Sequence, residues 1–175
     1  MTRYSLSVNY YKDSLVSVYF NKTLSSVIKI GNLDKTNKKI LDFGCGFGML
    51  KKRIPNSLVF NFDKDEKFSE FKDWKNLEFD IFVANQVFYL LSEEELTNLL
   101  IELNKKNPHM ILIIGISYQN FLSKIIKKIF NFKNAHKFTK LSYNNQVKIL
   151  KKKCILIDEV DNFFANKVLK LKFKN

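Results

Sequence analysis

Glycine, proline, cysteine, histidine and tryptophan are scarce in this chain of 175 residues, which holds five, two, two, two and one of them. Each scarcity excludes something. Cys45 and Cys154 stand far apart in dissimilar contexts, so neither a disulfide framework nor a zinc ligand set is expected, and no metal site is read. No apolar run approaches the roughly 20 residues of a membrane-spanning helix; the stretch 110–116 has only seven. The opening Met1-Thr2-Arg3-Tyr4-Ser5 lacks the apolar core and cleavage site of a secretory signal, which makes the cytosol the expected compartment. Without repeats or a Pro/Ser-rich linker the chain reads as one domain over 1–175, with residues 1–31 as an N-terminal helical cap and 38–175 as the core.

Acidic residues are also in short supply, 17 against 30 Lys and Arg, for a formal net charge of +13. Such an excess attracts nucleic acid or an anionic membrane surface. The lysines are spread along the chain, however, and Lys and Asn recur together as in a base-biased genome. The local exception is 121–132, where Phe121, Leu122, Ile125, Ile126, Ile129 and Phe130 form an apolar helical face flanked by Lys124, Lys127 and Lys128. This reads as a lid over a substrate pocket, or as an interfacial helix that brings peripheral membrane contact.

Periodicity orders the rest. Residues 11–30 carry apolar positions at helical spacing, with Gly31 as the stop. Strands are expected at 38–43, 58–63, 80–90, 110–117, 154–158 and 168–173. Helices are expected at 47–54, 92–106 and 141–152. Ser92-Glu93-Glu94-Glu95 is a capping box. The run at 110–117 is almost continuously apolar, as inside a parallel sheet. In 168–173 Leu169, Leu171 and Phe173 alternate with lysines, which fits an antiparallel strand at or near an edge. Strand–helix alternation followed by an antiparallel pair predicts an α/β, Rossmann-like doubly wound and mostly parallel sheet.

Three of the five glycines fall within five residues, in Ile40-Leu41-Asp42-Phe43-Gly44-Cys45-Gly46-Phe47-Gly48. An apolar strand ends in an acid, then glycines alternate through a turn where a ligand can approach the backbone itself. The dinucleotide fingerprint requires Gly-x-Gly-x-x-Gly, with a glycine where Met49 stands, so a pyrophosphate clamp is disfavoured. The run closely resembles motif I of the class I S-adenosylmethionine-dependent methyltransferases. The resemblance implies that Gly44, Cys45, Gly46 and Gly48 pass under the methionine part of the cofactor and that Asp42 helps hold its amino group. Asp63 ends the next strand, 15 residues beyond Gly48, and by the same resemblance binds the ribose hydroxyls. A carboxylate suits a vicinal diol because it accepts at both oxygens. The alternative is an Asp that caps the next helix. Phe79-Asp80-Ile81-Phe82-Val83-Ala84-Asn85-Gln86 resembles the family's fourth strand, which brings Asn85 and Gln86 to the cofactor.

Only 16 residues separate Asp63 from Phe79, where the family places a helix, a third strand and an acidic loop. The third strand is therefore short or missing, at most a remnant at 76–78. Asp73-Trp74 is the nearest match to the adenine contact, with Asp73 accepting from the amino group and Trp74 covering the ring; otherwise Trp74 plugs the shortened sheet edge. The loop after the fourth strand, Val87-Phe88-Tyr89-Leu90, lacks the His of many small-molecule relatives. His136, in Asn134-Ala135-His136-Lys137-Phe138-Thr139, resembles a His-x-Phe-Thr/Ser entry and is the candidate to orient or deprotonate an acceptor hydroxyl, or else a loop His that fixes a turn. No Asn/Asp-Pro-Pro run and no strand-end Pro-Cys is present, so base N-methylation and 5-methylcytosine chemistry are not visible, and no RNA-binding module appears. The expectation is an S-adenosylmethionine-dependent methyltransferase acting on a small-molecule, sugar or lipid-linked acceptor. The rivals are an RNA methyltransferase and a non-catalytic protein that keeps the fold.

Overall fold

The computed structural model describes residues 14–118, 139–162 and 166–174. Along them run α1 (Ser14–Gly31), β1 (Ile40–Phe43), α2 (Met49–Arg53), β2 (Val59–Phe62), β3 (Ile81–Asn85), a 3-10 turn (Phe88–Leu90), α3 (Glu93–Lys106), β4 (Ile111–Ser117), α4 (Tyr143–Lys153), β5 (Cys154–Asn162) and β6 (Asn166–Phe173). The strands form one six-stranded sheet in the order β2-β1-β3-β4-β6-β5. β2, β1, β3 and β4 are mutually parallel, and β6 runs antiparallel between β4 and β5. The chain winds from β1 to β2 on one side, then returns to β3 on the other. This reversal opens a crevice beyond the carboxyl ends of β1 and β3, where ligands of open α/β sheets bind.

Both faces of the sheet are covered, which is why the central strands read as continuous apolar runs. On one face Leu24, Val27 and Ile30 of α1 and Leu50 of α2 pack with Ile40, Ile81, Val83 and Ile113. On the other, Leu96, Leu99, Leu100 and Leu103 of α3 pack with Leu41, Phe82, Leu112 and Ile114. Val18, included in the apolar spacing of the first helix, is exposed. The capping box forms: Ser92 Oγ accepts from the Glu95 N–H at 3.1 Å, and Glu95 Oε2 accepts from the Ser92 N–H at 2.6 Å.

No strand forms between β2 and β3, and the expected remnant at 76–78 is loop. β2 is therefore an edge. Glu70 covers it at Asn61: the Glu70 N–H donates to Asn61 O at 2.9 Å, and its carboxylate accepts from the Asn61 N–H at 3.3 Å and from Asn61 Nδ2 at 3.2 Å. One loop residue thus satisfies backbone groups that a neighbouring strand would otherwise pair. At the far edge β5 extends to Asn162, beyond the expected 158, because pairing with β6 carries Asp158, Glu159 and Asp161 into the ladder.

Candidate cofactor site

The glycine turn sits at the crevice and is built from its backbone. Gly44, Gly46 and Gly48 have φ of 76°, 51° and 64°. The N–H groups of Gly44 and Cys45 both donate to Phe62 O, at 2.7 and 3.1 Å, which ties the turn to the end of β2. Gly48 N–H donates to Cys45 O at 3.0 Å and closes it. A Cβ on Gly44 would lie 2.5 Å from Val87 Cγ2, and one on Gly48 would lie 2.9 Å from Asn61 Nδ2. A Cβ on Gly46 would meet nothing within 4 Å. Gly44 and Gly48 are thus needed for packing against protein, whereas Gly46 keeps a space beside the backbone clear. A cleft of about 350 Å³ opens along Gly46, Phe47 and Gly48, with Lys51, Lys52 and Lys67 on its walls.

Asp63 ends β2 and reaches back across the turn. Its Oδ2 accepts from the Gly46 N–H at 3.0 Å, and its Oδ1 accepts from the Asp65 N–H at 3.0 Å. No helix follows for it to cap, contrary to the alternative reading; the carboxylate instead holds the turn at Asp65 and braces the glycine loop. Cys45 is likewise structural in its contacts, its Sγ lying 3.3 Å from Phe68 O. Burial, together with the negative charges of Asp42, Asp63 and Glu70, pushes its thiol up to about 12, so it stays protonated at neutral pH.

Asp42 is the anomalous residue. Its side chain is 5% exposed, and no hydrogen bond or ion pair among the described residues reaches its carboxylate. Burial, and after it the charge of Asp63, raises its pKa from 3.8 to about 7. A buried acid of this kind calls for a cation or donor that the described residues do not provide.

Asn85 and Gln86 close the other side of the crevice. Gln86 takes φ of 58°, rare for a residue with a side chain, and is held there by its N–H donating to Gly115 O at 2.8 Å and by Ser117 Oγ donating to its Oε1 at 2.6 Å. Asn85 Oδ1 is buried without a donor and fills the space that a Gly115 side chain would occupy. The glycine in the run 111–117 was the one visible sign of this approach. Nothing local marks Ser117 or Val87 as partners.

The expected adenine pair divides. Asp73 is exposed, and its Oδ1 accepts from the Lys75 N–H at 2.9 Å in a turn. Trp74 is 6% exposed, with its ring edge-on to Phe43 and Phe79, at 6.1 Å from each. It is buried in the core under the shortened edge, as the alternative reading of Trp74 had it, with little surface left to offer a ligand. His136 and 121–132 lie outside the described residues. Beyond β4, Tyr118 donates to Asp161 Oδ2 at 2.6 Å and packs on Tyr143 with ring centroids 4.9 Å apart, a pair that no motif announces. Burial, and next the bond to Asp161, raises the Tyr118 pKa, so this phenol is a poor base.

No protein-family model matches the chain, and no curated protein sequence does. Solved structures do. Magnesium protoporphyrin IX methyltransferase (ChlM) from Synechocystis PCC 6803 with bound SAH superposes with a TM-score of 0.68 at 18% identity, covering 95% of this chain and 92% of that one. The same enzyme with bound SAM gives 0.60 at 13% identity, covering 99% and 98%. The mitomycin 7-O-methyltransferase MmcR gives 0.61 at 10% identity, covering 94% of this chain and 59% of that one. With a glycine turn at the switch point of a mostly parallel sheet that ends in an antiparallel pair, this chain has the fold of the class I S-adenosylmethionine-dependent methyltransferases.

Proposed function

We propose that this protein binds S-adenosylmethionine and transfers its methyl group to a small-molecule, sugar or lipid-linked acceptor. The observation that carries the proposal is the buried Asp42 carboxylate, without a hydrogen-bond or ion-pair partner among the described residues, beside a glycine turn whose middle residue faces open space. The donor set fits the cofactor. Asp42 is matched to an ammonium group, Gly46 leaves room for a chain to cross the backbone, and Asp63, at the end of β2, is of the acceptor chemistry that suits a ribose diol. Bound there, the cofactor supplies an electrophilic methyl on a sulfonium, whose thioether leaves readily.

The work left to the protein is mostly positioning. The turn is clamped to Phe62 O and Asp63 by hydrogen bonds within the chain, which fixes its backbone. Gln86, held in its unusual conformation by Ser117 and Gly115, presents a polar edge at the carboxyl end of β3. His136 is proposed, from its sequence context alone, to orient or deprotonate the acceptor. The structural neighbours include a magnesium protoporphyrin IX methyltransferase and a mitomycin 7-O-methyltransferase, which supports an acceptor of small-molecule size.

Isothermal titration with S-adenosylhomocysteine tests the cofactor reading. Binding by the wild type and its loss in Gly46→Val support it. Absence of binding at millimolar ligand defeats it.

A further inference from the structure

Among the described residues an exposed apolar strip lies at the end of the sheet away from the glycine turn. β5 runs in the same direction as β4, since each is antiparallel to β6. Its beginning is therefore at the end where the parallel strands start. There Ile155, Leu156 and Ile157 are 43%, 49% and 46% exposed on an edge strand. Consecutive large aliphatic residues on an edge are what soluble domains avoid unless something covers them.

Lysines frame this apolar strip. Lys151, Lys152 and Lys153 end α4 immediately before it, and Lys172 lies opposite Ile155 across the ladder. Lys174 follows, its Nζ donating to Lys151 O at 2.7 Å, so α4 and the end of β6 are drawn into one basic collar. None of these lysines has an ion pair among the described residues. The acids of β5 begin only at Asp158, past the strip.

We propose that this end of the sheet is a docking surface for an anionic lipid membrane. Aliphatic side chains ringed by ammonium groups suit the headgroup boundary, where the apolar groups enter and the lysines stay with the phosphates. The chemistry favours lipid over the other candidates. Nucleic acid is held by phosphate contacts and by stacking on aromatic rings, and gives exposed Ile and Leu no task. A second copy pairing along the edge meets the bulge between Leu156 and Asp158, which interrupts the ladder that it would extend. Because the surface lies opposite the glycine turn, docking leaves the crevice open to water. The proposal does not depend on which reaction the crevice performs.

The test is co-sedimentation of the full chain with vesicles of phosphatidylcholine alone, or with phosphatidylglycerol added. Binding is expected only with phosphatidylglycerol, and is expected to weaken with salt. Each lysine beside an anionic surface contributes about fivefold, so K151Q/K152Q/K153Q should bind roughly 100-fold more weakly. L156S should cost about tenfold through lost apolar contact. Circular dichroism melts check that both variants stay folded; if the triple variant does not, K172Q/K174Q reads the same dependence. Four results would overturn the proposal: equal binding to phosphatidylcholine alone, no binding to either vesicle, binding that survives both sets of changes, or a wild-type dimer that L156S dissociates. RNA binding lost with the lysines but kept in L156S would overturn it as well, and assign the surface to nucleic acid.

Discussion

Replacing Asp42 by Asn should stabilise the ligand-free protein at neutral pH while impairing ligand binding. In the native state burial and Asp63 raise the Asp42 pKa from 3.8 to about 7. Between those values the folded chain holds a proton that the unfolded chain has released, so stability falls as pH rises through this window. Above it the ionised form carries the whole penalty: about three pKa units at 1.36 kcal/mol each, or roughly 4 kcal/mol as a ceiling. Asn keeps the shape without the charge. For a chain of this size, where each kcal/mol shifts the melting midpoint by about 2–4 °C, Asp42→Asn should melt on the order of 10 °C higher at pH 8 and close to wild type at pH 4. The assay is a thermal melt from pH 4 to 8 on both proteins. Titration with S-adenosylhomocysteine then supplies the second arm. A cationic group entering beside Asp42 must displace its proton below pH 7, so wild-type affinity should rise with pH up to about 7, by as much as tenfold per unit, and the Asn variant should be weak and flat. Parallel melting profiles, or a variant that binds as well as wild type, would refute the assignment of an ionised, unpartnered Asp42 to the cofactor.

Four further outcomes are expected. Gly46→Ala places a methyl group in open space at positive φ, so it should cost about 1 kcal/mol of stability and a far larger share of S-adenosylhomocysteine affinity, read by melting and calorimetry. Asp63→Ala should weaken that binding by ~1.5–3 kcal/mol, the range for hydrogen bonds to a charged group, and should raise amide exchange at Gly46, whose N–H loses its acceptor. Trp74→Ala should lower unfolding free energy by ~3–5 kcal/mol in chemical denaturation; Trp74→Phe should bind cofactor like wild type, and a selective loss of affinity there would return Trp74 to the adenine pocket. His136→Ala should lower turnover on the acceptor without changing cofactor affinity, and unchanged turnover would make it a loop residue.

What the sequence determined is what depends on local pattern. The three alternating glycines predict a tight turn between strand and helix because they are the residues that take positive φ without cost, and all three do. The apolar run at 110–117 predicts a buried parallel strand, and Ser92 with Glu95 predicts a helix start, because periodicity and capping are written in neighbours. The shortage of residues between Asp63 and Phe79 predicts the lost third strand by length alone. Tertiary structure decided what depends on partners distant in the chain. Trp74 is identical in sequence terms whether it covers a ligand or fills a core; only the approach of Phe43 and Phe79 makes it core. The left-handed turn at Gln86 rests on Gly115 and Ser117, about 30 residues onward, and such a conformation is stable only where the surroundings hold it. The weakened acidity of Asp42 likewise comes mainly from desolvation, a property of everything packed around a side chain, so an Asp at a strand end becomes a buried acid with a raised pKa only once the sheet has closed over it.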